Sequence, residues 1–207
     1  MPLSLLICDD FLVNVDEIRA IGLQQAYPRP DKPTYFPGRN SAGRLDISGL
    51  EEEISRILRV PVEAAEGTGH GRFRLTLAGD EGLGDVHIDE CFWSGILYLS
   101  RPEDCQGGTV FFRHKASGMD HAPLSRDELT RFGVDSFEAF WDEVLVPQSK
   151  DRNAWEEIMT VPMRYNRLVL FRPWFFHTAG PGFGDRPENG RLVFLMFFQE
   201  KGSRTTR

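Results

Sequence analysis

The amino-acid sequence predicts a mainly β protein, with N-terminal helices and a helical insertion packed around a sheet-rich core. From residue 71 onward, short runs of β-branched and aromatic residues recur with turn residues between them. The chain has 16 Phe, many of them in these runs. Two helical patterns come before the strands, which favours a sandwich or barrel with the helices outside it.

Length and composition predict one domain over residues 1–207 that contains an insertion. The net charge is −7 and no basic stripe is present, so nucleic acid is not an expected partner. We find neither a secretory signal nor the roughly 20 apolar residues that a membrane helix needs. Cys8, Cys91 and Cys105 lack the CxxC spacing of metal sites, which favours reduced thiols in a cytoplasmic protein.

The N-terminal region, residues 1–60, begins with the apolar run 3–8, which predicts a strand. In 9–25, apolar residues recur at helical spacing and predict a helix. Residues 27–40 contain four prolines and predict an extended loop.

A second helix is predicted over residues 49–59, with Ser48 and Glu51 in the S-x-x-E spacing of a capping box. In that motif the serine side chain accepts from the main chain of the first turn, and the glutamate accepts from the serine N–H.

The β core is predicted over residues 71–115 and 156–200. Its first part holds three strands, at 71–79, 92–100 and 107–115, and a turn between the last two predicts a hairpin. Its second part holds a predicted strand pair, 157–163 with 166–174, and the closing buried strand 191–200.

Residues 118–156 interrupt the strand pattern and predict a mostly helical insertion. Ser125 and Glu128 have the spacing of another capping box, and the segment 135–145 is amphipathic at helical spacing.

A short motif, His87-x-Asp89, is the first candidate for chemistry. Residues i and i+2 of a strand project to the same face, so an imidazole and a carboxylate would lie side by side. The motif is short enough to arise by composition, and alone it is as consistent with a surface polar pair as with a metal site.

His177 and Arg191 change this balance. His177 follows the apolar run 168–176 and precedes a Gly/Pro loop, so it could close a site or be an ordinary core histidine. Two histidines and one carboxylate form the facial triad of non-haem Fe(II) oxygenases. Arg191 begins an otherwise apolar strand, and a guanidinium binds a carboxylate through two parallel hydrogen bonds, although a surface role is also open.

The ordered set of His87-x-Asp89, "GGTVFFRH", "RLVLFRPWFFHTAGP" and Arg191 resembles the Fe(II)/2-oxoglutarate-dependent dioxygenases, and most closely their prolyl-hydroxylase-like branch. "YFPGRN" and "GGTVFFRHKASGMD" are similar to a bacterial subfamily of uncharacterised function in that branch. The resemblance implies a double-stranded β-helix, a jelly-roll or cupin-like core.

The resemblance also implies site residues. His87, Asp89 and His177 would ligate Fe(II), and Arg191 would hold the far carboxylate of the co-substrate 2-oxoglutarate. With O2, such an enzyme hydroxylates a C–H bond and releases succinate and CO2. Related halogenases lack the carboxylate ligand, so Asp89 favours hydroxylation over halogenation.

Two further residues are expected at the co-substrate. Tyr98 could donate its hydroxyl to the same carboxylate or be a plain core residue, and Thr109 follows two glycines that allow close approach. Many relatives have Lys in place of Arg191, so Arg167 and Arg186 are rival candidates.

The substrate is expected to be a small, amino-acid-like molecule, free or tethered to a carrier. Loop 28–45 and the insertion 118–156 could cover the site. No membrane partner is expected, and a homodimer is one assembly that the sequence allows. Four residues are candidate substrate contacts: Arg113, Arg74, Trp174 and Trp93.

Two alternatives remain open from the sequence. One is a cupin-like metalloenzyme with the same ligands and no 2-oxo acid, against which Arg191 argues. The other is a non-catalytic sandwich that binds a ligand or a partner protein and holds no stoichiometric iron.

Overall fold

In a computed structural model of the protein, which describes residues 3–203, β-strands form two antiparallel sheets and the helices are few. The mainly β prediction is therefore confirmed.

Seven strands make up the larger sheet: β1 (Leu5–Cys8), β2 (Arg39–Asn40), β3 (Val62–Ala64), β4 (Phe73–Thr76), β5 (Trp93–Tyr98), β8 (Leu168–Phe171) and β10 (Arg191–Glu200). The order is β1-β8-β5-β10-β4-β2, and β3 pairs with the far end of β10. The long strand β10 therefore lies in the middle of the sheet, where its apolar residues are covered on both faces.

The smaller sheet has three strands: β6 (Gly108–His114), β7 (Trp155–Pro162) and β9 (His177–Thr178). β6 is central and pairs with both β7 and β9. The β6–β7 register shifts between Phe111 and Phe112, so this pair carries a β-bulge.

Both predicted strand pairs are wrong. β5 pairs with β8 and β10, whereas β6 pairs with β7 and β9, so each connection carries the chain from one sheet to the other. β7 and β8 are likewise in different sheets. The physical reason is that β5, β6 and β8 are central strands, which need partners on both edges, and sequence neighbours do not supply them.

A hydrophobic cluster joins the two sheets. Tyr98 and Val193 contribute to it from the larger sheet and Phe111 from the smaller one. The rings of Phe111 and Phe171 meet edge to face with centroids 5.3 Å apart. The sheets therefore pack face to face and enclose a common core.

The outer face of the larger sheet is covered by α1 (Val15–Gln24) and α2 (Leu50–Leu58). The predicted Ser48–Glu51 capping box does not form. Gly49 is the N-cap, in a left-handed conformation with φ of 80°, and it makes no side-chain cap bond. The Glu51 carboxylate instead accepts the N–H of Ala64 at 2.9 Å, which ties α2 to β3.

The insertion is helical, as expected, but in pieces: α3 (Arg126–Arg131), α4 (Phe137–Ala139), a π-helical turn (Phe140–Leu145) and α5 (Val146–Gln148). Ser125 caps α3 by accepting the N–H of Glu128 at 3.3 Å. The Glu128 carboxylate accepts from Leu124 and not from Ser125, so only half of the predicted box forms. Within residues 3–203, no helix has the length and apolarity that crossing a bilayer requires.

The insertion packs beneath the segment that carries the candidate metal ligands. Phe140 and Val144 share a buried cluster with Val86 and Ile88, the neighbours of His87. The insertion therefore packs against the residues on either side of His87, and these contacts help to hold His87 in place.

Asn166 fixes the turn between β7 and β8. It is buried with φ of 61°, and its side chain accepts the Leu12 N–H at 2.9 Å and donates to the Leu12 carbonyl at 2.8 Å.

We expect Asn166→Ala to lower the free energy of unfolding by about 3 kcal/mol, because it leaves two main-chain groups without a hydrogen-bond partner and places an alanine in a left-handed backbone conformation. Urea unfolding measures this, with Asn153→Ala, an exposed residue whose side chain makes no hydrogen bond within residues 3–203, expected to cost under about 0.5 kcal/mol. Equal losses in the two variants would contradict this account of Asn166.

Candidate metal centre and its cavity

Three side chains converge as the His-x-Asp motif and the distal histidine predict. His87 and His177 face each other in an isolated antiparallel bridge, and each N–H donates to the other carbonyl at 3.0 Å. His87 Nε2 lies 3.9 Å from Asp89 Oδ1, and His177 Nε2 lies 3.4 Å from Asp89 Oδ2. One ligand atom from each residue falls within 4.8 Å of the others. The expected strand around His87 is only this bridge, yet the i, i+2 geometry holds.

Both imidazoles are oriented in the same way. His87 Nδ1 lies 2.8 Å from the carbonyl of Asp85, and His177 Nδ1 lies 2.8 Å from the carbonyl of Phe175. A carbonyl only accepts, so each Nδ1 carries the proton and each Nε2 keeps its lone pair. This is the arrangement by which proteins orient histidine toward a metal.

The protonation states also suit a cation. Burial, reinforced by the neighbouring His177, lowers the pKa of His87 to about 3, so its imidazole is neutral at pH 7. Burial alone would raise the pKa of Asp89. The electrostatic attraction of His177 outweighs that effect, with help from His87 and from the hydrogen bond that Ser94 donates, and the pKa of Asp89 falls to about 2. His87 therefore offers a neutral imidazole and Asp89 an ionised carboxylate, the forms in which these groups ligate a metal.

Ser94 holds the carboxylate in place. Its hydroxyl on β5 donates to Asp89 Oδ2 at 2.6 Å and is buried.

We expect Ser94→Ala to weaken the affinity for Fe(II) or Mn(II) by about tenfold, because a hydrogen bond to a metal ligand typically contributes that much to metal affinity. Anaerobic calorimetric titration of the metal measures it.

The matched control for this change is Ser100→Ala. Ser100 is also buried and bonded on both sides, to the Gly190 carbonyl and the Leu192 N–H, but it does not line the cavity described below. The Ser100→Ala variant should have a lower free energy of unfolding and an unchanged affinity for the metal. Unchanged affinity in Ser94→Ala would show that this hydroxyl does not orient a ligand.

The cluster opens into a cavity of about 230 Å³ between the sheets. Its wall is largely apolar and includes Phe36, Ile96 and Phe197. Two guanidinium groups also line it, those of Arg74 and Arg191. A small polar ligand that reaches the metal cluster would therefore meet positive charge in an otherwise apolar site.

Arg191 is buried with 1% of its surface exposed, and its Nε and Nη2 make no hydrogen bond within residues 3–203. Burial lowers its pKa, which reflects the cost of an uncompensated charge, while Tyr98 opposes that shift. A buried guanidinium without an anion is unusual, because the desolvation it suffers is normally offset by a partner. The geometry is that of a binding site for an anionic ligand.

The two other predicted co-substrate residues lie together. Tyr98 and Thr109 are fully buried, and their hydroxyl oxygens are 2.7 Å apart. Tyr98 lies opposite Val193 on β10, two residues along that strand from Arg191, and the charge of Arg191 opposes the rise that burial causes in the pKa of Tyr98. The rivals of Arg191 are placed elsewhere: Arg167 is paired with Asp9 at 2.6 Å, and Arg186 is exposed.

Of the four predicted substrate contacts, the structure brings only Arg74 to the cavity. Arg113 is an exposed residue paired with Glu156 at 3.1 Å. Trp93 alternates with Ser94 on β5 and so points to the opposite face, into the helix-covered core. Trp174 packs against the insertion cluster.

Three cavity residues carry no signal that singles them out in the sequence: Phe36, Asn40 and Ser94. The first two lie in "YFPGRN", where the Pro-rich loop forms part of the cavity wall. The ring of Phe36 lies 4.4 Å from that of His87, centroid to centroid. Loop 28–45 thus contributes residues to the cavity wall, whereas no residue of 118–156 lines the cavity.

Residues 2–198 match the model of a family described as "Family of unknown function (DUF6445)". A search of the curated proteins gives no match.

Among solved structures, the chain is similar to HygX from Streptomyces hygroscopicus with nickel, 2-oxoglutarate and hygromycin B bound. The identity is 12% and the TM-score 0.52, over 99% of this chain and 86% of that chain. For HygX with nickel and 2-oxoglutarate bound, the identity is 13% and the TM-score 0.49, over 99% of this chain and 85% of that chain. For an N-substituted L-amino acid dioxygenase from Burkholderia ambifaria AMMD, the identity is 12% and the TM-score 0.41, over 94% of this chain and 82% of that chain. At 12% identity, the likeness to the first structure shows a shared fold.

Proposed function

The chain belongs to the DUF6445 family, whose function is unknown, and we propose that it is an Fe(II)- and 2-oxoglutarate-dependent oxygenase. Its reaction would be hydroxylation of a C–H bond in a small, amino-acid-like substrate, free or carrier-tethered. The fold shared with HygX, a protein whose structure holds 2-oxoglutarate and nickel, supports the class.

One observation carries the proposal. A buried guanidinium, with two donor atoms that find no partner in the part of the chain the structure describes, lines the same cavity as a two-histidine, one-carboxylate cluster. The cluster alone fits several metals and reactions. Arg191 adds a receptor for a second, anionic component, which a cupin-like metalloenzyme without a 2-oxo acid does not need. The residues present therefore fit both groups.

In this proposal His87, Asp89 and His177 hold Fe(II), and Arg191 receives the far carboxylate of 2-oxoglutarate. Tyr98 donates its hydroxyl to the same carboxylate, with Thr109 orienting it. When bound, Fe(II) and 2-oxoglutarate supply the oxidising chemistry with O2, in which the 2-oxo acid is decarboxylated to succinate and CO2 as the substrate is hydroxylated.

The protein's own contribution is positioning and exclusion of water. Two main-chain carbonyls fix the imidazoles and Ser94 fixes the carboxylate, so the ligands are preorganised. The apolar wall keeps bulk water from the reacting centre, which limits side reactions. The ligand set needs no side chain as a general acid or base.

We further propose that the two packed sheets are the double-stranded β-helix of the prolyl-hydroxylase-like branch, within a single domain over residues 1–207. A cytoplasmic location fits this proposal, because Cys8, Cys91 and Cys105 are unpaired thiols and Fe(II) is best maintained in a reducing compartment.

The proposed function is tested by succinate formation. Protein reconstituted anaerobically with Fe(II) is given 2-oxoglutarate and then air, and succinate is measured over time. We expect slow succinate production without substrate that needs iron, 2-oxoglutarate and O2 together. Full iron binding with no succinate above a protein-free control would contradict the proposal.

A further inference from the structure

Arg74 is a second cation in the cavity, and no carboxylate within residues 3–203 pairs with it. It lies on β4, directly across from Asn40 on β2, and its Nε–H donates to Asn40 Oδ1 at 2.8 Å. Its Cζ lies 5.3 Å from the centroid of the Phe36 ring. Its Nη1 and Nη2 form no hydrogen bond or ion pair with any group in residues 3–203, although Arg74 lines the cavity. The outer edge of the guanidinium is therefore available to a ligand.

Asn40 adds a neutral donor beside that edge. Arginine only donates hydrogen bonds, so the Asn40 oxygen must face Arg74 and its Nδ2 must point away from it. Nδ2 has no hydrogen-bond acceptor among the described residues, and Asn40 lines the cavity. The pair thus presents several N–H donors and no acceptor to whatever enters.

The charges of the loaded site identify what is missing. The two positive charges of Fe(II) balance the two negative charges of 2-oxoglutarate, and the negative charge of Asp89 balances the positive charge of Arg191. The histidines ligate in their neutral form. Arg74 therefore remains as one uncompensated positive charge next to the metal cluster. Burial, with Arg191 adding to it, lowers the pKa of Arg74 to about 10, while Asp89 opposes the shift.

We propose that Arg74 and Asn40 bind a carboxylate of the substrate, which makes the substrate class small monocarboxylic acids. A carboxylate matches the Nη1–Nη2 edge of a guanidinium through two parallel hydrogen bonds. Arg191 is the more deeply buried of the two arginines and lies with Tyr98, so the co-substrate takes that position. This inference rests on the proposed function and names the substrate class of the same site.

Binding of simple acids tests this inference without knowledge of the natural substrate. Protein loaded with Mn(II) and saturating 2-oxoglutarate is mixed with monocarboxylates from propionate to hexanoate, or with their matched primary amides. Paramagnetic broadening of the probe's proton resonances reports binding near the metal. We expect the acids to bind about tenfold tighter than the amides, the effect of hydrogen bonds to a charged group.

Two variants should abolish the preference for acids. Arg74→Met removes the charge, and Asn40→Asp keeps the bond to Arg74 while giving it an internal counterion. Asn40→Asp is nearly isosteric, so it preserves the test if Arg74→Met does not fold. Arg113→Met, which removes an exposed arginine outside the cavity, should keep the full preference.

Three results would overturn the inference: equal binding of acids and amides by the unmodified protein, a preference that survives both variants, or a large loss of 2-oxoglutarate affinity in Arg74→Met. The last would place Arg74 at the co-substrate. Failure of the proposed function is distinguishable, because there the protein would not bind 2-oxoglutarate at all.

Discussion

Arg191→Met is expected to lose 2-oxoglutarate and gain stability at the same time. A paired carboxylate–guanidinium contact contributes enough that we expect the affinity for 2-oxoglutarate to fall about hundredfold or more. In the free protein, the same change removes a buried charge whose Nε and Nη2 have no hydrogen-bond partner among the described residues. Because methionine has a similar length and no polar atom, the free energy of unfolding should rise by about 2 kcal/mol.

The opposite directions of these two effects make the prediction sharp. Most core substitutions destabilise, so a stabilised variant that cannot bind its co-substrate points to a site that sacrifices stability for binding. Urea unfolding of the metal-free protein and calorimetric titration of 2-oxoglutarate into the Mn(II) form measure the two effects.

Arg167→Met is the matched control. It removes an arginine that is already paired with Asp9 through two hydrogen bonds, so it should lower the free energy of unfolding by about 1 to 3 kcal/mol and leave 2-oxoglutarate affinity unchanged. If Arg191→Met destabilised the protein and bound 2-oxoglutarate normally, Arg191 would be a structural residue only.

Asp89→Ala is expected to abolish stoichiometric metal binding. Asp89 bridges the two imidazoles, and without its charge the site retains two neutral ligands. Since outer hydrogen bonds alone contribute tenfold to hundredfold, loss of a direct ligand should weaken metal affinity by about hundredfold or more. Thermal unfolding with and without Mn(II) reports this, because a metal stabilises only the state that binds it.

Glu90→Ala controls for loss of a carboxylate from the same segment. Glu90 is the exposed neighbour of Asp89, so its variant should keep the full metal-induced rise in Tm. An undiminished rise in Asp89→Ala would mean that the metal binds elsewhere in the chain.

Only the His87–Asp89 part of the candidate site followed from a local rule, and His177 joined it through the family resemblance. The i, i+2 spacing put His87 and Asp89 on one side of an extended segment, and this geometry does not depend on strand pairing. Arg191 stood out because a single charge at the start of an apolar strand needs an explanation.

The sequence could not give the pairing of strands, because pairing depends on partners far along the chain. β5 and β6 are neighbours in sequence and lie in different sheets. For the same reason the sequence does not reveal the role of Asn40, because that role depends on its position opposite Arg74 on the paired strand β4. The capping box predicted at Ser48 does not form for a similar reason. Glu51 has the right spacing from Ser48, but its carboxylate accepts a hydrogen bond from Ala64 on β3 instead.

The central claim, that metal and 2-oxo acid share this cavity, is tested most directly by anaerobic visible absorption. Fe(II) is added to the metal-free protein, followed by 2-oxoglutarate. The account predicts a new charge-transfer band that needs both additions and is lost in Asp89→Ala and Arg191→Met. Iron bound in stoichiometric amount with no band would contradict the claim and favour a metalloenzyme that uses no 2-oxo acid, and no iron at all would favour a binding protein.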